Sequence, residues 1–262
     1  MSDPPKPAES DPKEETFLSH LVELRDRLVR AVVAVVLIFV CLMPWAAEIY
    51  DLLAQPMIRT LPQGTTMIAT GVITPFFVPV KVTLLLAFVI ALPYVLYQAW
   101  AFISPGLYAH EKRLGLPLVL SSTVLFLLGM AFCYLFVFRT VFSFIATFAP
   151  KSITPAPDIE QYLNFVLTLF LAFGLTFEVP VVVIALARFR VVSVDKMREA
   201  RPYVIVGAFV IGAIFTPPDV ISQIMLAVPL WLLYELGLVA ARAESQAAAM
   251  NCCPRPRTSS FM

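Results

Sequence analysis

Glu178 stands inside an apolar run, about ten residues from Arg188 at one end of it and some fifteen from the other end, so a run that spans ~30 Å of hydrocarbon places this carboxyl near its middle. An acidic side chain at that depth costs about 2.5–3.5 kcal/mol on insertion scales. Two readings fit: a protonated carboxyl hydrogen-bonded between helices, or a polar point in a cavity or binding groove. Glu23 and Glu111 lie in polar segments among Arg25, Arg27, Arg30, Lys112 and Arg113. Each reads as a solvated charge pairing with its basic neighbours. Facing one another, they could instead clamp a pair of guanidinium groups, because the Arg fork matches a carboxylate bidentately. Thr216, Asp219 and Gln223 form a polar cluster around the break Thr216-Pro217-Pro218-Asp219, where Asp219 is suited to cap the helix that follows. Glu235 lies close to the end of that helix, where snorkelling or pairing with Arg242 accounts for it.

Several chemistries are absent. The two histidines, His20 and His110, fall in polar segments, so an intramembrane metal site would lack imidazole ligands. His110-Glu111 lacks the second His of a zinc-peptidase helix, and neither a nucleophile-elbow motif nor a phosphate-binding glycine loop occurs. Cys41 and Cys133 sit alone in apolar runs as small hydrophobes, and the adjacent Cys252 and Cys253 lack spaced partners. No catalytic residue, metal or cofactor is expected. The net charge of +1 offers no basic excess for nucleic acid.

The elements that must position these residues are apolar. The chain has 262 residues, 60% hydrophobic and 14% charged, with a mean hydropathy of +0.84, against about 25% charged in ordinary soluble domains. An all-α polytopic membrane protein is expected. Apolar runs predict crossings at about 29–47, 75–98, 116–138 and 162–187, then two short ones at 203–215 and 220–240, the last interrupted by Pro229 and Glu235. This divides the chain into a tail over 1–28, a six-helix transmembrane domain over 29–240 and a tail over 241–262.

In the first tail Ser2–Glu15 reads as a disordered lead-in and shows no removable signal peptide. An amphipathic helix follows, with Phe17, Leu21, Leu24 and Leu28 on one stripe. Ser104-Pro105 starts another short helix by an N-cap and a first-turn proline. With six crossings, fifteen of the nineteen Lys and Arg fall on the side of the termini, leaving Arg59, Lys81, Arg139 and Lys151 opposite. The excess predicts cytoplasmic termini. Prolines 44, 75, 79, 93, 117, 180 and 229, in or at the ends of the apolar runs, fit a bent scaffold or a groove shaped for a ligand.

Four segments in order, Ser19-His20-Leu21-Val22-Glu23-Leu24-Arg25-Asp26-Arg27-Leu28, Ala101-Phe102-Ile103-Ser104-Pro105-Gly106-Leu107-Tyr108-Ala109-His110-Glu111, Ala172-Phe173-Gly174-Leu175-Thr176-Phe177-Glu178-Val179-Pro180 and Thr216-Pro217-Pro218-Asp219, resemble the TatC family. That family is the multispanning receptor component of the bacterial twin-arginine protein translocase, and the likeness covers about residues 15–240. It implies six helices in a concave, glove-like bundle in the bacterial cytoplasmic membrane. It also implies binding of twin-arginine signal peptides on folded cargo, recruitment of TatB-like and TatA-like partners, self-association in a complex, and transport driven by the proton-motive force without enzymatic activity. By the resemblance Glu23 and Glu111 contact the arginine pair, and Arg25, Phe102 and Pro105 shape the recognition patch. Glu178 lies in the concave membrane face, Thr216 and Gln223 belong to the partner-helix surface, and Asp219 is the outer hairpin acid. Residues 251–262 match nothing in the family pattern, and Ala213 stands where a bulkier residue is expected. The alternative is a proton-coupled secondary transporter of a small solute, with Glu178 as the coupled carboxyl. Its weakness is that the short helix pair has no counterpart near the start of the chain. A membrane assembly scaffold without a ligand of its own is the third reading.

Overall fold

The computed structural model describes residues 12–58, 68–103, 112–148, 158–189, 191–215 and 220–252. These fold into α1 (Pro12–Leu42), α2 (Ala46–Ile58), α3 (Thr74–Ile103), α4 (Lys112–Phe132), α5 (Phe138–Phe148), α6 (Ile159–Arg188), α7 (Val194–Glu199), α8 (Arg201–Phe215) and α9 (Val220–Cys252). An isolated bridge between Ile68 and Asp158 is the β pairing among the described residues. Five helical stretches are long and apolar enough to cross a bilayer: Leu21–Gln55, Thr74–Phe102, Gly115–Phe144, Ile159–Arg188 and Val220–Ala243. The apolar helix Arg201–Phe215 is shorter, its 15 residues reaching about 22 Å. The chain is a multi-pass, all-helical membrane protein.

Helix persists beyond the apolar runs. At Pro44, which has no N–H to donate, the first span tightens into a 3₁₀ turn over Met43–Trp45 and resumes as α2. In the third span a π-turn over Cys133–Val137 passes directly into α5. Residues 46–58 and 139–148, which hydropathy assigns in large part to loops, are therefore helical. The last helix is not short: α9 has 33 residues with Pro229 inside it. A bilayer offers the backbone no water, so internal hydrogen bonding outlasts the most apolar residues.

The contacts divide the chain into two units. The first comprises residues 1–45 and 83–120. Here α1 leaves Val29, Val32, Val33, Val36, Leu37 and Val40 exposed, while Ala87, Ala91, Leu92, Trp100 and Ala101 of α3 are buried.

The second unit comprises residues 46–82 and 121–262 and is organised on α6, whose Leu163, Val166, Leu169 and Phe173 are fully enclosed. Val78 and Val82 of α3 pack on Leu163 together with Ile49, Tyr50 and Leu53 of α2. Gly129 of α4 lies under the Phe173 carbonyl and the Phe177 ring, and Gly174 of α6 lies under the Phe126 ring, so each helix lodges aromatic side chains against the other's glycine. Val183 of α6, Met197 of α7, and Tyr234 and Leu238 of α9 form a further cluster. Asp158 caps α6, accepting from the backbone N–H groups of Glu160 (2.8 Å) and Gln161 (3.1 Å).

Candidate ligand-binding and partner-binding sites

On α1, residues 23 and 27 are one helical turn apart, so their side chains meet. Arg27 donates from Nε (3.0 Å) and Nη2 (2.6 Å) to Oε1 of Glu23, and from Nη1 to Oε1 of Gln98 on α3 (3.4 Å). Gln98 is 6% exposed, while the side chains of Arg27 and Glu23 are 24% and 37% exposed. Glu23 thus presents a half-exposed carboxylate that already holds a guanidinium. Arg25 turns away: its side chain is 72% exposed and donates from Nε (3.1 Å) and Nη2 (2.9 Å) to Asp26. Phe102 is half-buried in the last turn of α3. Pro105 and Glu111 lie outside the described residues, as do Thr216 and Asp219.

In the second unit Glu178 is buried at 8% exposure. The Ser122 hydroxyl of α4 donates to its carboxyl, while Oε1 has no partner among the described residues. Glu178 is thus a buried polar group in contact with α4, with one oxygen unspent. Gln223 on α9 donates from Nε2 to the Phe209 carbonyl of α8 (2.9 Å), and its Cγ packs against Gly212. Beside it, Ile205, Ala208, Phe209, Ala227, Val228 and Trp231 line an apolar cavity of about 220 Å³.

Three polar contacts have no signal in the local sequence. Glu235 pairs with Arg201 at the start of α8 (2.5 Å), because antiparallel packing of α8 on α9 brings that residue to its level. Lys81 of α3 bonds Glu160 (3.1 Å) and Asn164 (3.3 Å), and Glu160 also accepts from Thr74. Asp158 accepts from Thr70 N (3.1 Å) and Oγ1 (2.5 Å); this hydroxyl, followed by the Gln161 amide, holds its carboxyl below the usual carboxylate range. The Glu23–Arg27 spacing is legible as a helical pair, whereas partners some eighty residues apart share no periodicity that could reveal them. Among the described residues no group of three His, Cys, Asp or Glu side chains could hold a metal ion.

Residues 19–229 match the family model described as Sec-independent protein translocase protein (TatC). The chain is 49% identical over 228 residues to the Sec-independent protein translocase protein TatC of Escherichia coli strain K12, covering 87% of this chain and 88% of that one. It is 53% identical over 228 residues to the protein of the same name from Haemophilus influenzae, covering 87% and 89%. It also resembles the crystal structure of the twin arginine translocase receptor TatC, with a TM-score of 0.77 and 38% identity over 86% of this chain and 99% of that one.

Proposed function

The chain belongs to the TatC family of Sec-independent protein translocases, and from that premise we propose that it is the receptor of a twin-arginine translocase, a protein-transport component that acts by binding rather than by catalysis. The observation that carries this reading is the family match over residues 19–229, and the chemistry at Glu23 agrees with it. There a half-exposed carboxylate accepts two N–H groups of one guanidinium, the interaction an arginine-bearing signal peptide requires.

In this reading Glu23 and Glu111 take the arginine pair, with Arg25, Phe102 and Pro105 shaping the patch around them. TatB-like and TatA-like single-span helices dock along α8 and α9, with Gln223 and Thr216 belonging to the partner-helix surface and Asp219 being the outer hairpin acid. Glu178 offers its unspent oxygen inside the membrane, and the proton-motive force supplies the energy. The fifteen-to-four distribution of Lys and Arg supports cytoplasmic termini in a bacterial inner membrane.

The test is binding of a fluorescent twin-arginine signal peptide and its twin-lysine counterpart to purified, lipid-supplemented protein. A charge-assisted contact contributes about 1.5–3 kcal/mol, so Glu23→Gln and Glu111→Gln should each weaken the twin-arginine peptide about tenfold or more. The twin-lysine peptide, lacking the fork, should bind the unmodified protein more weakly. Equal binding in every combination overturns the recognition site. No peptide binding, together with solute uptake in vesicles, favours the transporter.

A further inference from the structure

We propose that Arg27 is an internal surrogate for the incoming arginine: it occupies the Glu23 carboxylate, and the peptide guanidinium must displace it. The inference rests on the receptor reading. Both Nε and Nη2 of Arg27 converge on the single oxygen Oε1 of Glu23, at 3.0 and 2.6 Å, the charge-assisted contact that a peptide arginine would make. Arg27 differs here from Arg25, which is spent on Asp26.

Gln98 makes exchange feasible. It is anchored at 6% exposure, and its carbonyl oxygen accepts from Arg27 Nη1, the nitrogen not used by Glu23. Arg27 can therefore release Glu23 and keep a hydrogen-bond partner, rather than being left with none at a half-buried position. Breaking Arg27–Glu23 costs the same whatever cation replaces it, so the surrogate lowers the affinity of twin-arginine and twin-lysine peptides by one common factor. It acts as a threshold that excludes weakly held peptides and leaves the arginine-over-lysine ratio to the fork geometry.

The experiment is peptide binding to full-length purified protein carrying Arg27→Gln or Arg27→Lys, each with Glu23 intact and with Glu23→Gln. Gln keeps length and polarity but not the charge or fork, and Lys keeps the charge. Arg27→Gln should bind both peptides roughly two- to fivefold tighter, the range of a partly exposed helical ion pair, with the ratio between them unchanged. Arg27→Lys should give a smaller gain, and in the Glu23→Gln background neither change should tighten binding. Unchanged or weaker binding by Arg27→Gln, in a protein where Glu23→Gln still weakens it, overturns the surrogate and leaves the receptor reading standing. A gain that persists without the Glu23 carboxylate also overturns it, since that is general charge repulsion. If the unmodified protein binds neither peptide, the receptor reading falls and the surrogate with it.

Discussion

Gly129→Ala should destabilise the protein although alanine is the better helix former. A methyl at this position would stand 2.6 Å from the Phe173 carbonyl oxygen and 2.9 Å from Cγ of Phe177. Ordinary carbon–oxygen contacts lie near 3.3 Å or beyond, so α4 and α6 must part locally by roughly 0.7 Å. The obstacle is backbone, and no rotamer change removes it. A gap of about 0.5–1 Å forfeits a quarter to a half of each dispersion contact, and the contacts at stake include Phe132 against Phe173 and Phe177. Overpacking of this kind costs about 1–3 kcal/mol, which the propensity gain of about 1 kcal/mol offsets only in part. A net loss of up to about 2 kcal/mol follows from those two terms. Gly207 is the control: nothing lies within 4 Å of the point where its added methyl would stand, so Gly207→Ala should be neutral or up to about 1 kcal/mol more stable. Unfolding by graded SDS in mixed micelles, followed by tryptophan fluorescence, compares the two. Equal midpoints for the two variants would refute the close-approach argument.

Other outcomes follow from the polar contacts. Arg201→Ala removes the guanidinium that pairs with Glu235, whose side chain is 24% exposed, and should cost about 1–2 kcal/mol, between surface and buried ion pairs; in the same titration the double change with Glu235→Gln should cost less than the sum of the single ones. Asp158, its carboxyl held low by the Thr70 hydroxyl, contributes stability that is present above the unfolded value near pH 3.9 and lost as pH falls through the lower folded value. The advantage of the unmodified protein over Asp158→Asn should therefore shrink below about pH 4, and a pH-independent difference in unfolding midpoint would count against this account. Gln223→Ala removes the side-chain donor to the Phe209 carbonyl and should lower stability by about 0.5–1 kcal/mol, read as a shift in SDS midpoint.

Composition and periodicity are enough for the helices that cross. Apolar length is a local property, and a bilayer leaves the backbone little choice but to satisfy itself within each segment. The same hydropathy criterion stops too early near Glu48, Asp51 and Arg139, because charges end an apolar run without ending a helix. Pro44 and the π-turn at Cys133–Val137 alter the helical winding where hydropathy alone suggests that the helix ends. At the site, residues 23 and 27 share a helix face by spacing alone, so their pairing is legible. Gln98 is not, being brought to them only by the approach of α3.

Four ordered motifs and some two hundred matching residues make the family readable from residue order alone, and with it the expectation of a binding protein. Glu178 is also located by sequence, since burial of a carboxyl follows from its place in an apolar run. Its partner does not follow: Ser122 meets it because Gly129 and Gly174 let α4 and α6 approach closely. Likewise Glu235 meets Arg201 because the packing of α8 on α9 brings that cation to its level. Local sequence carries hydrophobicity and helical spacing, whereas the pairing of polar groups far apart in the chain depends on which helices come together and at what distance.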